Sequence, residues 1–258
     1  MSLHSKKLDH DDAPVGRVLT RREAIGLLGG MGATGLLLLA GCSGTEEASG
    51  TELPNGSTSC VAKPELTEGP YFVDERLNRS DIRSNTSNGA VRGGALLALT
   101  VNVQRIQSGA CTPLAGAFVD VWHCDALGVY SDAVDRSFNT KGENWLRGYQ
   151  VTDASGAAKF ATVFPGWYPG RASHIHFKVR QALSPNTAYD FTSQLFFDEA
   201  FLTKVYTTQA PYTTKGDAGR LRNTSDGIFR QGGAQLLVTP STLRSGGYGA
   251  TLNVALQV

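Results

Sequence analysis

One short stretch, FPGWYPGRASHIHFKV at positions 164–179, concentrates side chains that can bind a metal ion or an anion. It holds Tyr168, Arg171, His174 and His176, and it contains no acidic residue. If its second half is a β-strand, the alternation of side chains places both histidines on one face and three apolar residues on the other. The two imidazoles would then bind one ion together.

The distribution of histidine and tyrosine limits the kind of metal site. His4 and His10 lie in a segment interpreted below as an export signal, which leaves His123 and the pair. A cupin-type site would require another histidine after the pair, and none follows. A closed zinc site would need sulfur or a third histidine close in sequence, which is also absent. Tyrosine is nearby instead, because Tyr168 precedes the pair and Tyr130 closes the segment VDVWHCDALGVYSD.

Two phenolates and two neutral imidazoles form a donor set suited to trivalent iron. A phenol has an ordinary pKa of about 10 and is therefore neutral at pH 7. Fe(III) supplies enough positive potential to deprotonate it, by the effect that acidifies metal-bound water or thiols. We expect His123 to be a buried histidine near the site that does not contact the metal, and Asp120 and Trp122 to support the fold.

The elements that would position these residues are short strands separated by glycine-containing turns. The stretch GYQVTDASGAAKFATV is typical of a hairpin that turns at residues 153–156, and the one helix we expect is short and lies near DEAFLTKVY. Many short strands without alternating helices predict a β-sandwich or barrel. The strand candidates are LLALTVNVQRI, AGAFVDVWH, ASHIHFKV, FTSQLFFD, AQLLVTP and GATLNVALQV.

Composition agrees with a globular β-rich chain. The 258 residues are 41% hydrophobic and 18% charged, so the chain can build a substantial core. The formal net charge of +1 gives no reason to expect nucleic acid or an anionic membrane surface as a partner. Thirty glycines and ten prolines favour strands and turns over a helical bundle.

Residues 1–42 have the features of a bacterial export signal. Arg21 and Arg22 precede an apolar, glycine-rich run, and small residues lead to Cys42 in the sequence LAGC. The adjacent arginines suggest the twin-arginine route, although Glu23 beside them is atypical, so the choice between that route and Sec stays open. A retained membrane helix is the alternative, for which the apolar run is short.

LAGC also resembles a lipobox, whose cysteine becomes the lipidated first residue of a lipoprotein. We therefore expect a periplasmic protein or one anchored to the cell envelope, with membrane contact only through a lipid on Cys42. Residues 43–59 are small, polar and acidic, which is typical of a flexible tether. Residues 60–258 then form one domain. Export allows a disulfide among Cys60, Cys111 and Cys124, but the sequence does not say which cysteine is left out.

Four segments resemble the intradiol ring-cleavage dioxygenases, the family of protocatechuate 3,4-dioxygenase and catechol 1,2-dioxygenase. The chain is identified on these segments as a member of the family, and the signal at residues 1–42 indicates an exported bacterial one. The resemblance implies an all-β fold, a β-sandwich of mostly antiparallel strands with long loops and little helix, with one non-haem Fe(III) per chain. The segments are TEGPYF at 67–72, VDVWHCDALGVYS at 119–131, FPGWYPGRASHIHF at 164–177 and SQLFF at 193–197.

The resemblance also implies the roles of individual residues. Arg171 matches an arginine beside the substrate and its anionic intermediates, and Gln194 matches a glutamine of the oxygen and substrate pocket. Tyr71 would line that pocket or support a turn beside it. Tyr168 would leave the metal and accept charge when substrate binds. The residues that match the family's iron ligands are Tyr130, Tyr168, His174 and His176.

The implied reaction is the ring cleavage of a catechol. The catechol would chelate iron, both atoms of O2 would be inserted, and the ring would open between the two hydroxyl-bearing carbons to give a muconate-type diacid. Arg171, as a fixed cation, would stabilise the developing negative charge. Catechol and O2 are the expected partners, and the oligomeric state and the identity of the catechol stay open. The turn between Tyr168 and His174 is shorter than in several relatives, which indicates a wider pocket.

Two other functions remain open at this stage. A non-catalytic β-sandwich module of the transthyretin type shares the signatures GAFVDV at 116–121 and TDASGAAKF at 152–160. Those motifs report strand and turn geometry, so only the tyrosine and histidine set separates the two functions. The second is a degenerate family member that binds iron or a catecholate without turnover.

Overall fold

The computed structural model describes residues 61–182 and 189–258. The predicted export signal at 1–42 and the predicted tether at 43–59 lie outside these residues, so both stay predictions. In the part of the chain that is described, no helix has the length and apolar character needed to cross a membrane. Of the two cysteines in that part, Cys111 is disulfide-bonded and Cys124 is free and buried.

Ten strands and one α-helix account for most of the regular structure described. The helix, α1, spans Glu199–Thr208 near the predicted position, and short 3₁₀ helices follow it at Tyr212–Thr214, Asn223–Ser225, Phe229–Gln231 and Gly233–Leu236. The strands are β1 (Leu96–Gln107), β2 (Ala110–Pro113), β3 (Phe118–Trp122), β4 (Arg147–Val151), β5 (Ala157–Val163), β6 (His174–Arg180), β7 (Asp190–Phe197), β8 (Leu237–Val238), β9 (Ser241–Thr242) and β10 (Tyr248–Leu256).

The strands form two five-stranded sheets around one apolar core. The first has the order β2-β1-β10-β9, with β5 paired to β1, and the second has the order β4-β3-β6-β7-β8. The ladders are antiparallel except β1 with β10 and β7 with β8. The predicted β-sandwich of mostly antiparallel strands with little helix is therefore confirmed.

Strand β6 lies in the middle of the second sheet, with the core on one of its faces and the predicted site on the other. Ile175, Phe177 and Val179 are fully buried in the core that both sheets share. On the opposite face, His176 is paired in register with Trp122 of β3 and Gln194 of β7. The alternation predicted from the sequence is confirmed, and it places both histidines of the pair on the face that points away from the core.

The predicted hairpin around residues 153–156 is wrong in its pairing, although its turn forms. The N–H of Gly156 donates to the carbonyl of Asp153 at 2.9 Å, and Gly156 has a φ of +78° that favours glycine. However, β4 pairs with β3 in one sheet and β5 pairs with β1 in the other. The turn carries the chain between the sheets because the apolar side of β5, including Phe160, packs into the shared core.

Candidate metal centre

Four predicted donor atoms converge above the outer face of β6. The Nε2 atoms of His174 and His176 are 3.0 Å apart. The phenol oxygen of Tyr168 lies 3.3 Å from His174 Nε2, and that of Tyr130 lies 3.5 Å from the same atom. The structure thus brings together all four residues that the sequence predicted as iron ligands, from three separate parts of the chain.

Two tight turns carry the tyrosines to this point. Tyr130 ends a turn in which the Asp125 carboxylate accepts hydrogen bonds from the backbone N–H of Leu127 at 2.9 Å and of Val129 at 3.0 Å. Tyr168 ends the segment that follows β5. This segment packs closely on the turn before Tyr130, so a Cβ added at Gly166 would lie 2.4 Å from the carbonyl oxygen of Ala126. The separation of the tyrosines therefore depends on backbone contact between the two turns.

The two histidines are held in different ways. His174 Nδ1 donates to the carbonyl oxygen of Ala172 at 2.6 Å, which leaves the lone pair on Nε2 facing the cluster. The His176 ring lies parallel to the Trp122 indole, with centroids 4.9 Å apart. Its Nδ1 is buried without a hydrogen-bond partner among residues 61–182 and 189–258. Stacking, rather than a hydrogen bond at Nδ1, therefore orients this ring.

The electrostatic environment keeps both imidazoles neutral. Burial lowers the pKa of His174 below its ordinary value, and the nearby Arg171 cation lowers it further. Burial likewise lowers the pKa of His176 well below the ordinary value, with His174 as the next contribution. Neutral imidazoles are the form in which histidine binds metal ions, so the pair is ready to act as ligands at neutral pH.

The donor set fits a single metal ion. Metal–imidazole bonds are about 2.0–2.1 Å long, so two donors in adjacent positions around one ion lie about 2.9–3.4 Å apart. The separations of 3.0 and 3.3 Å lie within this range, and that of 3.5 Å is just above it. No cluster of three or more His, Cys, Asp or Glu suited to a metal ion exists within the described ranges. The fit therefore depends on the two phenol oxygens, which are hard donors suited to Fe(III).

Three further residues behave as the sequence predicted. His123 is fully buried and both of its ring nitrogens have partners, Nδ1 donating to the Cys124 carbonyl at 2.8 Å and Nε2 lying 2.7 Å from Thr162 Oγ1. Burial lowers the pKa of His123 to about 4. Asp120 pairs with both Nε and Nη2 of Arg180, at 2.9 and 2.8 Å, and burial raises its pKa to about 6. Both residues, like Trp122, support the fold around the site.

A cleft of about 680 Å³ opens onto the two tyrosines of the donor set. Tyr130 is almost completely buried at its base, whereas Tyr168 is half-buried beside the opening. Both tyrosines and Arg171 form part of its wall. Leu127 and Val134 are exposed at the cleft, with 42% and 67% of their surfaces accessible. The remaining wall residues are Pro70, Tyr71, Gly128, Val129, Asp135, Arg136, Ser137, Phe138, Pro169, Gly170 and Lys215.

Tyr71 lies in the cleft wall, as the sequence predicted. Its ring stacks on the Tyr130 ring, with centroids 4.5 Å apart and planes inclined by 24°. Its hydroxyl donates to Asp135 Oδ2 at 2.8 Å, and this hydrogen bond holds the pKa of Asp135 below its ordinary value. Arg147, which the sequence analysis did not select, donates to the Tyr71 carbonyl at 2.5 Å and to the Ser131 carbonyl at 2.6 Å. It therefore ties Tyr71 to the segment that carries Tyr130.

Arg171 and Gln194 form a buried hydrogen-bonded pair. Arg171 Nη2 donates to Gln194 Oε1 at 2.6 Å, and Gln194 Nε2 donates to the carbonyl oxygen of Thr67 at 2.8 Å. Arg171 Nε also donates to Asp226 Oδ2 at 3.1 Å. Arg171 reaches the cleft wall, whereas Gln194 lies behind it and is fully buried. The structure thus places Arg171 in the cleft wall, whereas Gln194, expected in the oxygen and substrate pocket, lies behind that wall and supports Arg171.

Besides Arg147, two further contributors to the site were missed by sequence reasoning. Lys215 Nζ donates to the carbonyl oxygens of Leu127 at 3.0 Å and Trp167 at 2.6 Å, and so joins the two turns that carry the tyrosines. Asp226, which is fully buried, holds Arg171. Burial alone would raise the pKa of Asp226, but Arg171 and the Ala172 N–H outweigh burial and lower it. The only local signal for Asp226 is a turn-forming Ser-Asp-Gly sequence, which predicts no partner.

Comparison with known proteins agrees with this geometry. The sequence profile of a family described as Dioxygenase matches residues 67–215, more than half of the chain. An intradiol ring-cleavage dioxygenase from Tetranychus urticae has a similar structure, with 32% sequence identity and a TM-score of 0.64, over 77% of this chain and 95% of that one.

Two curated relatives also match. The protocatechuate 3,4-dioxygenase beta chain of Burkholderia cepacia is 32% identical over 118 residues, which are 43% of this chain and 50% of the relative. Catechol 1,2-dioxygenase of Candida albicans is 26% identical over 182 residues, which are 55% of this chain and 54% of the relative. The chain spans about half the length of the curated relatives it matches.

Proposed function

Because the chain belongs to the family of intradiol ring-cleavage dioxygenases, we propose that it inserts both atoms of O2 into a catechol. The ring would be cleaved between the two hydroxyl-bearing carbons, giving a muconate-type diacid. The observation that carries the proposal is the convergence of Tyr130, Tyr168, His174 and His176 beside a cleft whose wall includes both tyrosines. These four side chains would hold one Fe(III).

The residues of the cleft would have separate roles in the reaction. Bound Fe(III) would acidify the catechol hydroxyls and make the ring reactive toward O2. Tyr168 is the more exposed of the two tyrosines, so in its phenolate form it would be the one to accept a proton from a catechol hydroxyl. Arg171 is a buried cation in the cleft wall, and a cation held in place before reaction stabilises negative charge that develops on the substrate. Tyr71, stacked on Tyr130, keeps the base of the cleft aromatic and closed.

The size of the cleft supports a substituted catechol as the substrate. A volume of about 680 Å³ lies within the range of about 300–1,000 Å³ that drug-sized ligands occupy. Leu127, Val129, Val134, Phe138 and Pro169 give the outer cleft an apolar surface. An apolar substituent on the catechol ring would fill this outer part while the two hydroxyls reach the base. The short turn before His174 leaves that space open.

The visible spectrum of the iron-loaded protein tests the metal site. Phenolate bound to Fe(III) gives a red-brown charge-transfer colour, which should shift when a catechol binds. The double variant Tyr130→Phe, Tyr168→Phe should lose the colour. Tyr149→Phe, at a tyrosine outside the cleft wall, should keep it. A colourless iron-loaded protein, or a double variant that keeps its colour, would show that the site is not a tyrosine-ligated iron centre.

Oxygen uptake then separates an enzyme from a binding protein. Catechols with and without an apolar substituent are supplied to the iron-loaded protein under ¹⁸O2, and the product is analysed by mass spectrometry. The proposal expects a diacid that contains both labelled atoms and faster turnover of the substituted catechol. Colour that shifts with catechol, without oxygen uptake, would instead identify a protein that binds iron and catecholate without turnover. The transthyretin-type binding module is not favoured, because the family match includes all four donor residues and Arg171.

We also propose that the protein is exported and anchored to the cell envelope. The support is the sequence of residues 1–42, with paired arginines, an apolar run and Cys42 after Leu-Ala-Gly. In a bacterial host, the full chain should fractionate with membranes, and Cys42→Ser should release it into the soluble periplasmic fraction. Replacement of both Arg21 and Arg22 by lysine should block export if the twin-arginine route is used. A cytoplasmic full-length chain would contradict the proposal.

A further inference from the structure

Asp226 receives more hydrogen bonds than an ordinary ion pair requires. Its Oδ2 accepts from Arg171 Nε at 3.1 Å and from the backbone N–H of Ala172 at 2.6 Å. Its Oδ1 accepts from the N–H groups of Ile228 at 2.6 Å and Phe229 at 3.1 Å. A carboxylate offers about four acceptor positions. The four donors use this capacity, so the carboxylate is fixed in position and in orientation.

The fixed carboxylate also fixes the Arg171 side chain. Arg171 donates through Nε to Asp226 and through Nη2 to Gln194, and all three side chains are buried. A guanidinium is planar, so hydrogen bonds at two of its nitrogens determine the direction of the whole group. Gln194 is in turn held by the carbonyl of Thr67 at 2.8 Å. The cation in the cleft wall therefore has one orientation, set by two buried partners.

A second connection leads from Asp226 to the histidine pair. The N–H of Ala172 donates to Asp226, and the carbonyl oxygen of Ala172 accepts from His174 Nδ1 at 2.6 Å. The same residue is thus held by Asp226 on one side and orients the His174 imidazole on the other. Groups that hold a ligand's second ring nitrogen set the direction of the ligating nitrogen. Asp226 is therefore two hydrogen bonds away from a predicted metal ligand.

We propose that Asp226 is a positioning residue, which holds Arg171 at the cleft and, through Ala172, holds the His174 ring toward the other donors. This inference rests on the function proposed above. Asp226 lies beyond residues 67–215, where the family profile matches, so that match assigns it no role. Its partner residue Arg171 lies 55 positions earlier in the chain.

The charge of Asp226 is as important as its shape. Asparagine has nearly the same size, but its amide can accept at only one end, and its NH2 group would oppose one of the donors that the carboxylate now accepts. Arg171 would also lose its buried counter-ion, and an uncompensated buried charge moves toward water when it can. In Asp226→Asn we therefore expect the guanidinium to turn into the cleft and leave Gln194.

A double-mutant cycle tests the first connection. Asp226→Asn should lower kcat for a catechol about 10–100-fold, as loss of a partner behind a ligand or catalytic group does, and KM should change far less than kcat. In the Arg171→Gln background, with all proteins fully loaded with iron, the same change should cause little further loss of kcat, because the arginine through which Asp226 acts at the cleft is gone. Equal losses in both backgrounds would overturn the proposal, since a merely structural aspartate lowers activity independently of Arg171.

Two readouts do not depend on turnover. A crystal structure of Asp226→Asn should show Arg171 Nη2 beyond hydrogen-bond distance from Gln194 Oε1, and an unchanged Arg171 would overturn the inference. Competition with a chelator should show iron affinity about tenfold lower than in the wild type. Unchanged iron affinity would show that Asp226 does not act on His174 through Ala172. If the wild type itself shows no turnover, the proposed function fails, and these two measurements still decide the role of Asp226.

Asp217→Asn is the matched control. Asp217 Oδ1 accepts from Arg220 Nε at 2.7 Å, and that arginine side chain is fully buried, but the pair does not line the cleft. The control should lose stability and keep its kcat and its iron affinity. If Asp226→Asn does not fold, Asp226→Glu, which retains the charge, is measured in the same cycle. It should show a smaller loss of kcat that again disappears in the Arg171→Gln background, and a loss that persists there would contradict the proposal.

Discussion

The indole of Trp122 lies parallel to the imidazole of His176, with centroids 4.9 Å apart and planes inclined by 9°. The two residues are paired in register across β3 and β6, so the backbone of the sheet sets the contact. Since His176 Nδ1 has no hydrogen-bond partner in the described parts of the chain, the indole is the main restraint on this ring. The His174 ring, by contrast, is held by the carbonyl oxygen of Ala172.

Replacement of Trp122 by leucine should therefore weaken iron binding. The His176 ring would lose its stacking partner and populate orientations in which Nε2 does not face the other donors. We expect the iron affinity, measured by chelator competition, to fall about tenfold, the lower end of what loss of a supporting contact costs. Trp145→Leu is the control, because Trp145 is equally buried but packs in a different cluster. Both variants should lose stability; equal iron affinities in the two would contradict the role of the stack.

Gly166→Ala should disrupt the site through the backbone. An added Cβ would lie 2.4 Å from the carbonyl oxygen of Ala126, so the segment that carries Tyr168 must move away from the turn before Tyr130. Overpacking of this kind typically costs about 1–3 kcal/mol. We expect that loss in the free energy of unfolding, measured in urea, together with a weaker charge-transfer band in the iron-loaded protein.

Gly93→Ala provides the comparison for Gly166→Ala. A Cβ at Gly93 meets no atom within 4 Å, and its φ lies outside the region that favours glycine. This variant should be at least as stable as the wild type, because alanine reduces the freedom of the unfolded chain. It should also keep the full charge-transfer band. A normal band in Gly166→Ala would show that the spacing of the two tyrosines does not depend on this contact.

Local patterns were sufficient to predict the strand that carries His174 and His176 and to select the four side chains that converge. Alternation along β6 separates His174 and His176 from the core residues between them, because a strand needs only its own sequence to decide its two faces. The helix α1 was also predictable, since Asp198 caps it by accepting from the N–H of Phe201 at 3.0 Å. The positions of Tyr130 and Tyr168 followed from motifs that place each of them at the end of a turn.

Contacts between distant parts of the chain were beyond such patterns. Asp226 and Lys215 act on residues 55 and 88 positions away, and their partners are a guanidinium and backbone carbonyls that occur throughout any sequence. The hairpin predicted between β4 and β5, which lie in different sheets, was wrong for the same reason. A tight turn looks alike whether it closes a hairpin or connects two sheets, and only burial of the strand faces in the common core decides between them.

His123 should make the stability of the iron-free protein depend on pH. Burial lowers its pKa to about 4 in the folded state, whereas the unfolded chain has the ordinary value of about 6.5. The unfolded state therefore binds more protons between these values, and stability that is present above about pH 6.5 is lost as the pH falls toward about 4. The loss from this one residue amounts to at most about 3 kcal/mol.

His123→Gln, which can still hydrogen-bond to Cys124 and Thr162, should lose correspondingly less stability between pH 7 and about pH 4 when both proteins are unfolded in urea. The remaining histidines and carboxylates are common to both proteins, so the difference between their slopes isolates His123. Parallel slopes would show that His123 does not remain neutral in the folded state.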